Sequence, residues 1–469
     1  MKILRINKNR FFKAIGLIIF ACAVSCQKQD EFLDKKSRKN DVTPESLTEL
    51  QAVLDNSTVM NSAGSVIGLA GTDNLYLPDV NLSASDVVSR NAYLWNSDIW
   101  SGTPSADWFG CYQAIAYANI VLKGLVKIKP ASGEQISYDQ IYGSGLFFRA
   151  FNIYQLSQVF CKPFVTATAT TDQGIPYRTS SDVNIRFERG NVSQTYEKMI
   201  ADLKTAIPLL PEIPLYRTRP SKAAAHGLLA KIYLSKADYV AAFAEVKLAL
   251  QKNSTLLDYR TLPVNTLNPF PTFARGNPEV LFYAKTYGLP IVWASTSTSG
   301  RAAPALIQQY EDGDLRKSIL FTADPGTGLF RFKASYSGDT YNFCGIAVNE
   351  LLLVAAECAA RTGDLPGAIS YLNQLLQGRY TTAAYRPVTA TTANELIDRL
   401  LSERRKELPF TGNIRWEDLR RVNQETTRAL TLSRMATGSV YTLQPNDRRY
   451  TYPLPDDELQ LGGVEQNPR

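Results

Sequence analysis

The chain holds one histidine, His226, in 469 residues. Metal centres that need several imidazoles are therefore excluded. Cysteine is scarce too: there are six, and none forms a C-x-x-C pair, so neither a zinc ribbon nor a disulfide-dense scaffold is indicated. The H-E-x-x-H, G-x-S-x-G and G-x-x-x-x-G-K-[ST] patterns are missing, which leaves no recognisable catalytic constellation. Free charge of one sign is modest, with 51 Lys+Arg against 44 Asp+Glu. Hydrophobic residues at 45% and charged residues at 20% are globular proportions, and they rule out a disordered or collagen-like chain. Length alone permits up to about three domains or one large fold.

Part of that charge belongs to the first segment. Residues 1–13 carry five basic side chains and no acid, and an apolar run of eleven follows at 14–24. Such a run is too short to cross a bilayer at about 1.5 Å per residue. A basic start, a short apolar stretch and small residues before a cut describe a secretory signal peptide over 1–25. Ala23-Val24-Ser25-Cys26 resembles the lipobox of bacterial lipoproteins, which implies lipidation of Cys26 after cleavage. Gln27-Lys28-Gln29-Asp30-Glu31 resembles the acidic export signal that sends such lipoproteins to the cell exterior. Residues 26–43 are then a tether. Without the leader the chain has 46 basic and 44 acidic side chains, a net charge of +2. The case for a nucleic-acid partner, which rested on a net +7, disappears with it.

Of the remaining cysteines, Cys111, Cys161 and Cys358 lie in apolar helical patterns where a thiol packs as a small hydrophobe. Sequence cannot pair them or Cys344 in disulfides.

Helical periodicity dominates the rest. It predicts helices over 44–56, 105–128, 136–161, 192–209, 221–236, 239–252, 303–311, 345–361, 365–377, 392–408 and 414–422. Thr43 is the expected cap of the first, with Pro44 at its first position. Two helix pairs share a frame at an offset of 126 residues: Ala230 matches Ala356, Asp238 matches Asp364 and Ala242 matches Ala368. Small residues let antiparallel helices approach, and each Asp caps a second helix. The frame resembles the tetratricopeptide hairpin of about 34 residues. Weaker hairpin signals cover 105–161 and 192–236. The expected fold is mainly α, a scaffold of about four such hairpins with long irregular segments and a few short strands. Those segments, at 57–104, 162–191, 253–302 and 312–344, are rich in Gly, Pro, Ser, Thr and Asn, yet also aromatic. Aromatic loops of this length on a rigid scaffold are where recognition is expected.

An ordered series of motifs resembles the SusD/RagB nutrient-uptake lipoproteins of Bacteroidetes. It runs from Trp108-x3-Tyr112-x2-Ile115-x3-Asn119 through Phe147-Phe148-Arg149-Ala150 and Ser221-Lys222-Ala223-Ala224-Ala225 to Asn349-Glu350-Leu351-Leu352-Leu353. Glu403-Arg404-Arg405-Lys406-Glu407-Leu408, Arg415-Trp416-Glu417-Asp418-Leu419-Arg420 and Gln466-Asn467-Pro468 complete it. Pro409-Phe410-Thr411-Gly412 departs from the pattern, since an acidic residue before the glycine is usual. The resemblance implies one SusD-like domain over 44–469. It also implies a SusC-like TonB-dependent transporter as partner, over which the lipoprotein acts as a hinged lid.

Glu403, Arg404, Glu407, Arg415 and Asp418 are spaced for structural ion pairs rather than acid–base chemistry. His226, between Ala225 and Gly227, reads as a packed histidine, and Glu311-Asp312-Gly313-Asp314 as a turn. No catalytic residue, metal site or cofactor is expected. The candidate ligand residues pair flat rings with hydrogen-bonding groups, the combination that suits sugar rings. They are Asp73, Asn74, Tyr76, Trp95, Asn96, Trp100, Tyr287 and Trp293, within a ligand face drawn mainly from 57–104 and 253–344. Trp95 and Trp100 fit core packing equally well; Trp108 reads as core. The expected function is a non-catalytic, lipid-anchored outer-membrane receptor that captures oligosaccharide and delivers it to the transporter. Peptide binding on the same architecture is the alternative, and a periplasm-facing protein-interaction scaffold is the other.

Overall fold

Hydrophobic periodicity translates directly into helices. In the computed structural model, which describes residues 44–272, 276–286, 288–293 and 300–469, nine helices of nine residues or more are seen among the described residues. They are α1 (Ala106–Leu125), α2 (Gln135–Phe160), α3 (Val192–Leu209), α4 (Lys222–Ser235) and α5 (Tyr239–Lys252), then α6 (Val348–Arg361), α7 (Leu365–Leu376), α8 (Ala393–Glu407) and α9 (Ile414–Val422). Each packs mainly on its neighbour in sequence through α1–α5, α5 meets α6, and α6 packs on both α7 and α8. Residues Ser46–Arg469 form one compact unit. The proposed leader and tether, Cys26 and Thr43 included, lie outside the described residues.

The two hairpins that share a frame do so for a visible reason. Asp238 accepts a hydrogen bond from Ala241 N and Asp364 from Gly367 N, so each aspartate satisfies an orphan donor of the helix it opens. The residue before each cap is left-handed: Ala237 at φ 57° and Gly363 at φ 93°. Gly363 takes that conformation freely, whereas Ala237 bears its cost. Ala230, Ala242, Ala356 and Ala368 are fully buried between the helices.

Some starts and stops differ from expectation. The first described helix begins at Leu47, not Pro44, because Ser46 and Glu49 form a reciprocal capping box. Asn191 and Gln194 do the same for α3. The helix expected over 303–311 shortens to Pro304–Ile307, ahead of a turn at Gly313, φ 82°. Segment 57–104, expected to be irregular, contains helices Asp79–Ala84 and Val87–Tyr93, and segment 312–344 contains Leu315–Leu320.

The strands are short. A four-stranded antiparallel sheet has the order β1 (Leu75–Tyr76), β3 (Arg301–Ala302), β5 (Phe330–Phe332), β4 (Phe321–Ala323). β2 (Val280–Phe282) pairs with β6 (Ile346–Ala347), and β7 (Leu432–Ala436) with β8 (Ser439–Leu443). Cys111, Cys161, Cys344 and Cys358 are buried and free of disulfides. Burial pushes the Cys161 thiol up to about 11, so it packs rather than reacts.

Charge is threaded through the core. Arg379 bridges Glu279 and Glu407, both at 2.9 Å, and Arg316 bridges Asp314 at 2.6 Å and Glu403 at 2.7 Å. All six side chains have no exposed surface. A second chain runs Lys231–Glu350–Arg404–Asp418–Arg421–Glu357–Arg361. The ion pairs expected of the 403–418 segment thus form, but only Arg404–Asp418 lies within the expected set; Glu403, Glu407 and Arg415 reach other elements. His226 pairs its Nδ1 with Glu245 Oε2 at 2.7 Å across the α4–α5 hairpin.

Two outcomes follow from these pairs. Arg379→Met strands two buried carboxylates, and should cost about 3–5 kcal/mol in urea unfolding. Burial alone would raise the Glu357 carboxyl, but Arg421 and Arg361 hold it at about 2, against an ordinary 4.5. A depressed carboxylate stabilises above its unfolded pKa and loses that stabilisation as pH falls toward its folded value. The stability gap between wild type and Glu357→Gln should therefore be constant above about pH 5 and shrink between about pH 4.5 and 2 in denaturant titrations.

Candidate functional site

Two segments of the expected ligand face, 285–293 and 335–343, run side by side. Lys285 and Phe343 form an antiparallel bridge, and Thr286 N donates to Asn342 O at 2.9 Å. Asn342, fully buried, donates from Nδ2 to Val292 O at 3.2 Å and Phe410 O at 3.0 Å. One amide therefore locks both segments to the 409–412 turn. That turn is the departure noted in sequence, and its features are structural. Phe410 stacks on Phe332 at 4.6 Å, and Gly412, at φ 45°, sits where a Cβ would be 3.0 Å from Cys344 Cβ.

On this frame sits an aromatic and charged cluster. Trp293, half-buried, donates from Nε1 to Gly288 O at 3.1 Å and meets Tyr341 edge-to-face, with centroids 5.3 Å apart at 86°. Lys285 Nζ lies 4.9 Å from the centre of the Tyr341 ring and 2.5 Å from Asp339 Oδ2. Asp339 Oδ1 accepts from Tyr341 N at 2.9 Å, so one carboxylate sets both the lysine and the ring-bearing backbone. Leu289, at φ 63°, makes the tight turn before Pro290–Val292 that delivers Trp293. Beneath the same loops Asp107 Oδ2 accepts from Ser65 Oγ, Val66 N and Ile67 N at 2.6–2.8 Å. Burial raises the Asp107 carboxyl, while those three donors pull it down. A Cβ on Gly288 would sit 3.1 Å from Asp107 Oδ1, which ties the Trp293 turn to this buried group.

The other expected ligand residues are placed differently. Trp95, at φ 55°, is 2% exposed; its Nε1 donates to Gly71 O at 2.9 Å and Arg434 lies over its ring. Trp100 is equally buried and donates to Pro453 O at 2.9 Å, with its ring against Phe160. Of their two readings, core packing is the one the structure supports. Asn74 is fully buried between Pro409 O and Arg405 Nε, both 2.8 Å away. Asp73 is held by Arg415 at 2.8 Å and Arg405 at 3.0 Å. Burial would raise its carboxyl, but those guanidiniums hold it far below the usual range. The polar atoms of Asn74, Asp73, Trp95 and Trp100 are thus bonded within the fold, and each side chain has a scaffold contact. Asn96 is partly exposed and donates to Asn91 Oδ1 at 2.9 Å. Tyr76 is half-buried on β1, beside the strand that follows the Trp293 loop. Tyr287 lies outside the described residues. Trp108, as expected, packs in the core against Tyr112 and Phe160. Lys285, Asp339 and Tyr341 fell within the expected face but were not singled out. Their signal was the Asp339-Thr340-Tyr341-Asn342 string, which pairs a ring with hydrogen-bonding groups as Asp73–Tyr76 does.

Two SusD profiles match this chain. One, described as starch-binding associating with outer membrane, covers residues 31–234, and the SusD family profile covers 333–469. Together they take in more than two thirds of the sequence. The chain belongs to the SusD/RagB family. Among its relatives, SusD-like protein P2 of Formosa agariphila is 25% identical over 421 residues, 76% of this chain and 79% of that protein. A SusD superfamily protein from Bacteroides fragilis superposes with a TM-score of 0.73 at 21% identity, over 90% of this SusD-like chain and 99% of its own. Surface glycan-binding protein A from Bacteroides uniformis gives 0.69 at 16% identity, over 90% and 98%. These likenesses show the fold. Among the described residues of this SusD-like chain, no helix is long and apolar enough to cross a membrane.

The scaffold assignment is testable. Trp100→Phe removes the bond to Pro453 O and should cost about 1–3 kcal/mol in thermal unfolding. Ligand affinity measured on the folded variant should stay within twofold of wild type.

Proposed function

We propose that this SusD-family chain is a non-catalytic receptor that captures oligosaccharide at the Trp293–Tyr341 cluster. The observation that carries the reading is a half-exposed indole in edge-to-face contact with a second ring, beside a lysine and a carboxylate. Two rings at right angles cannot cover all of each other's faces, so apolar sugar C–H faces have a surface to stack on. Lys285 and Asp339 supply a donor and acceptors for hydroxyls, the few oriented polar groups that give such sites their selectivity. Names borne by relatives, among them a surface glycan-binding protein, support the same class of ligand.

The chain further reads as a lipoprotein whose residues 1–25 are removed and whose Cys26 carries the lipid. Residues 26–43 then tether the domain 44–469 to the outer membrane, facing the exterior. Delivery would be to a SusC-like TonB-dependent transporter, with the receptor as a lid over the barrel.

Calorimetry against a panel of neutral and acidic oligosaccharides and of peptides tests the central part. One glycan should bind, and Trp293→Ala or Tyr341→Ala should weaken it at least tenfold, on the order of 1.4 kcal/mol. Binding of peptides alone would overturn the glycan reading. Protease added to intact cells should shave the protein; protection would favour a periplasm-facing scaffold.

A further inference from the structure

A groove of about 400 Å3 lies between α8, α9 and the segment 427–430, and it shares no residue with the Trp293 cluster. Part of its lining is apolar: Leu401 comes from α8, Leu419 and Val422 from α9, and Leu430 from the segment beyond. The rest is mostly charged, and much of that charge is matched within the fold. Arg428 pairs with Asp398 at 2.6 Å and with Glu425 at 2.9 Å. Asp418 is taken by Arg404 at 2.8 Å and by Arg421 at 2.9 Å.

Arg405 and Arg415, which also line the groove, have one carboxylate between them. Asp73 meets Arg415 at 2.8 Å and Arg405 at 3.0 Å. Arg415 spends Nε and Nη2 on Asp73, and Arg405 spends the same two nitrogens on Asn74 Oδ1 and on Asp73. On each guanidinium Nη1 is left with no hydrogen bond among the described residues, although the side chains are only 11% and 14% exposed. Arg434, which donates to Thr72 O beside Asp73 in sequence, has carbonyl partners only and brings no acid of its own. Burial pushes the Arg405 guanidinium down to about 10 against the pull of Asp73, and the neighbouring Arg415 adds to the push. One positive charge at this wall is therefore unanswered.

We infer that this groove is a ligand site for a small organic carboxylate with an apolar body. Its carboxylate would accept from the two Nη1 groups and restore one acid to each arginine. Charge-assisted bonds of this kind are about twice as strong as neutral ones, and a guanidinium gives up its water more readily than an ammonium does. Leu401, Leu419 and Val422 offer the body an apolar surface. The volume lies within the roughly 300–1,000 Å3 of small-ligand sites. The site uses none of the residues of the receptor reading and stands or falls without it.

Ligand-observed NMR and calorimetry on the full chain test this with benzoate, phenylacetate and hexanoate as probes, each set against its own amide. At least one carboxylate should bind, and its amide at least tenfold more weakly. Ser402→Asp, three residues before Arg405 on α8, supplies the missing acid from the protein itself. It should weaken carboxylate binding at least tenfold in a chain that still folds. Thr427→Trp, at an exposed lining position, fills the groove and should do the same. Trp293→Ala should leave carboxylate affinity within twofold; a loss there would move the ligand to the first cluster and overturn the proposal. So would binding of no carboxylate, equal binding of acid and amide, or binding that both groove variants leave untouched. Carboxylate binding retained in a chain that takes no glycan would contradict the receptor reading alone.

Discussion

Arg379 and Arg316 have no exposed surface, and each grips two carboxylates from different parts of the chain. Taking such charges out of water costs several kcal/mol per ion, so the arrangement survives only if every partner arrives together. That requirement does more than stabilise. Glu279 directly precedes β2, Asp314 caps the helix Leu315–Leu320, and Glu403 and Glu407 lie on α8. Each is a point where an irregular segment leaves or rejoins the helical stack. A shift of α8 by one residue would turn both glutamates away from their arginines. The network thus fixes the take-off points of the segments that hold the candidate site.

From those points the route to the surface is short. The chain leaves Glu279 through β2 and reaches Lys285 and Trp293; Tyr336 donates to Glu279 at 2.6 Å, at the start of the segment that returns with Asp339 and Tyr341. Asn342 then ties the two segments together and to the 409–412 turn, which directly follows α8. The candidate site is in this sense displayed by the ionic core.

Most of the helical architecture was legible in sequence, because burial of one face imposes a period that neighbouring loops cannot imitate. The Asp238 and Asp364 caps were legible for the same local reason. The site was less so. Trp95 and Trp100 stand in an aromatic, polar string much like that around Trp293, yet their indole N–H groups find backbone carbonyls at Gly71 and Pro453. Partners so distant in sequence leave no local mark. Asp73 and Asn74 looked like hydroxyl-binding groups, and their partners Arg405, Pro409 and Arg415 lie over three hundred residues away. Side-chain chemistry was visible, but whether it was already spent was not.

The central claim is that an uncharged or acidic glycan stacks on Trp293 and Tyr341. A crystal structure of the chain soaked with the tightest-binding oligosaccharide of the panel tests it most directly. The account predicts a sugar ring against the Trp293 indole, with hydroxyls within about 3 Å of Lys285 or Asp339. A sugar bound elsewhere, with the Trp293–Tyr341 surface bare, would contradict it.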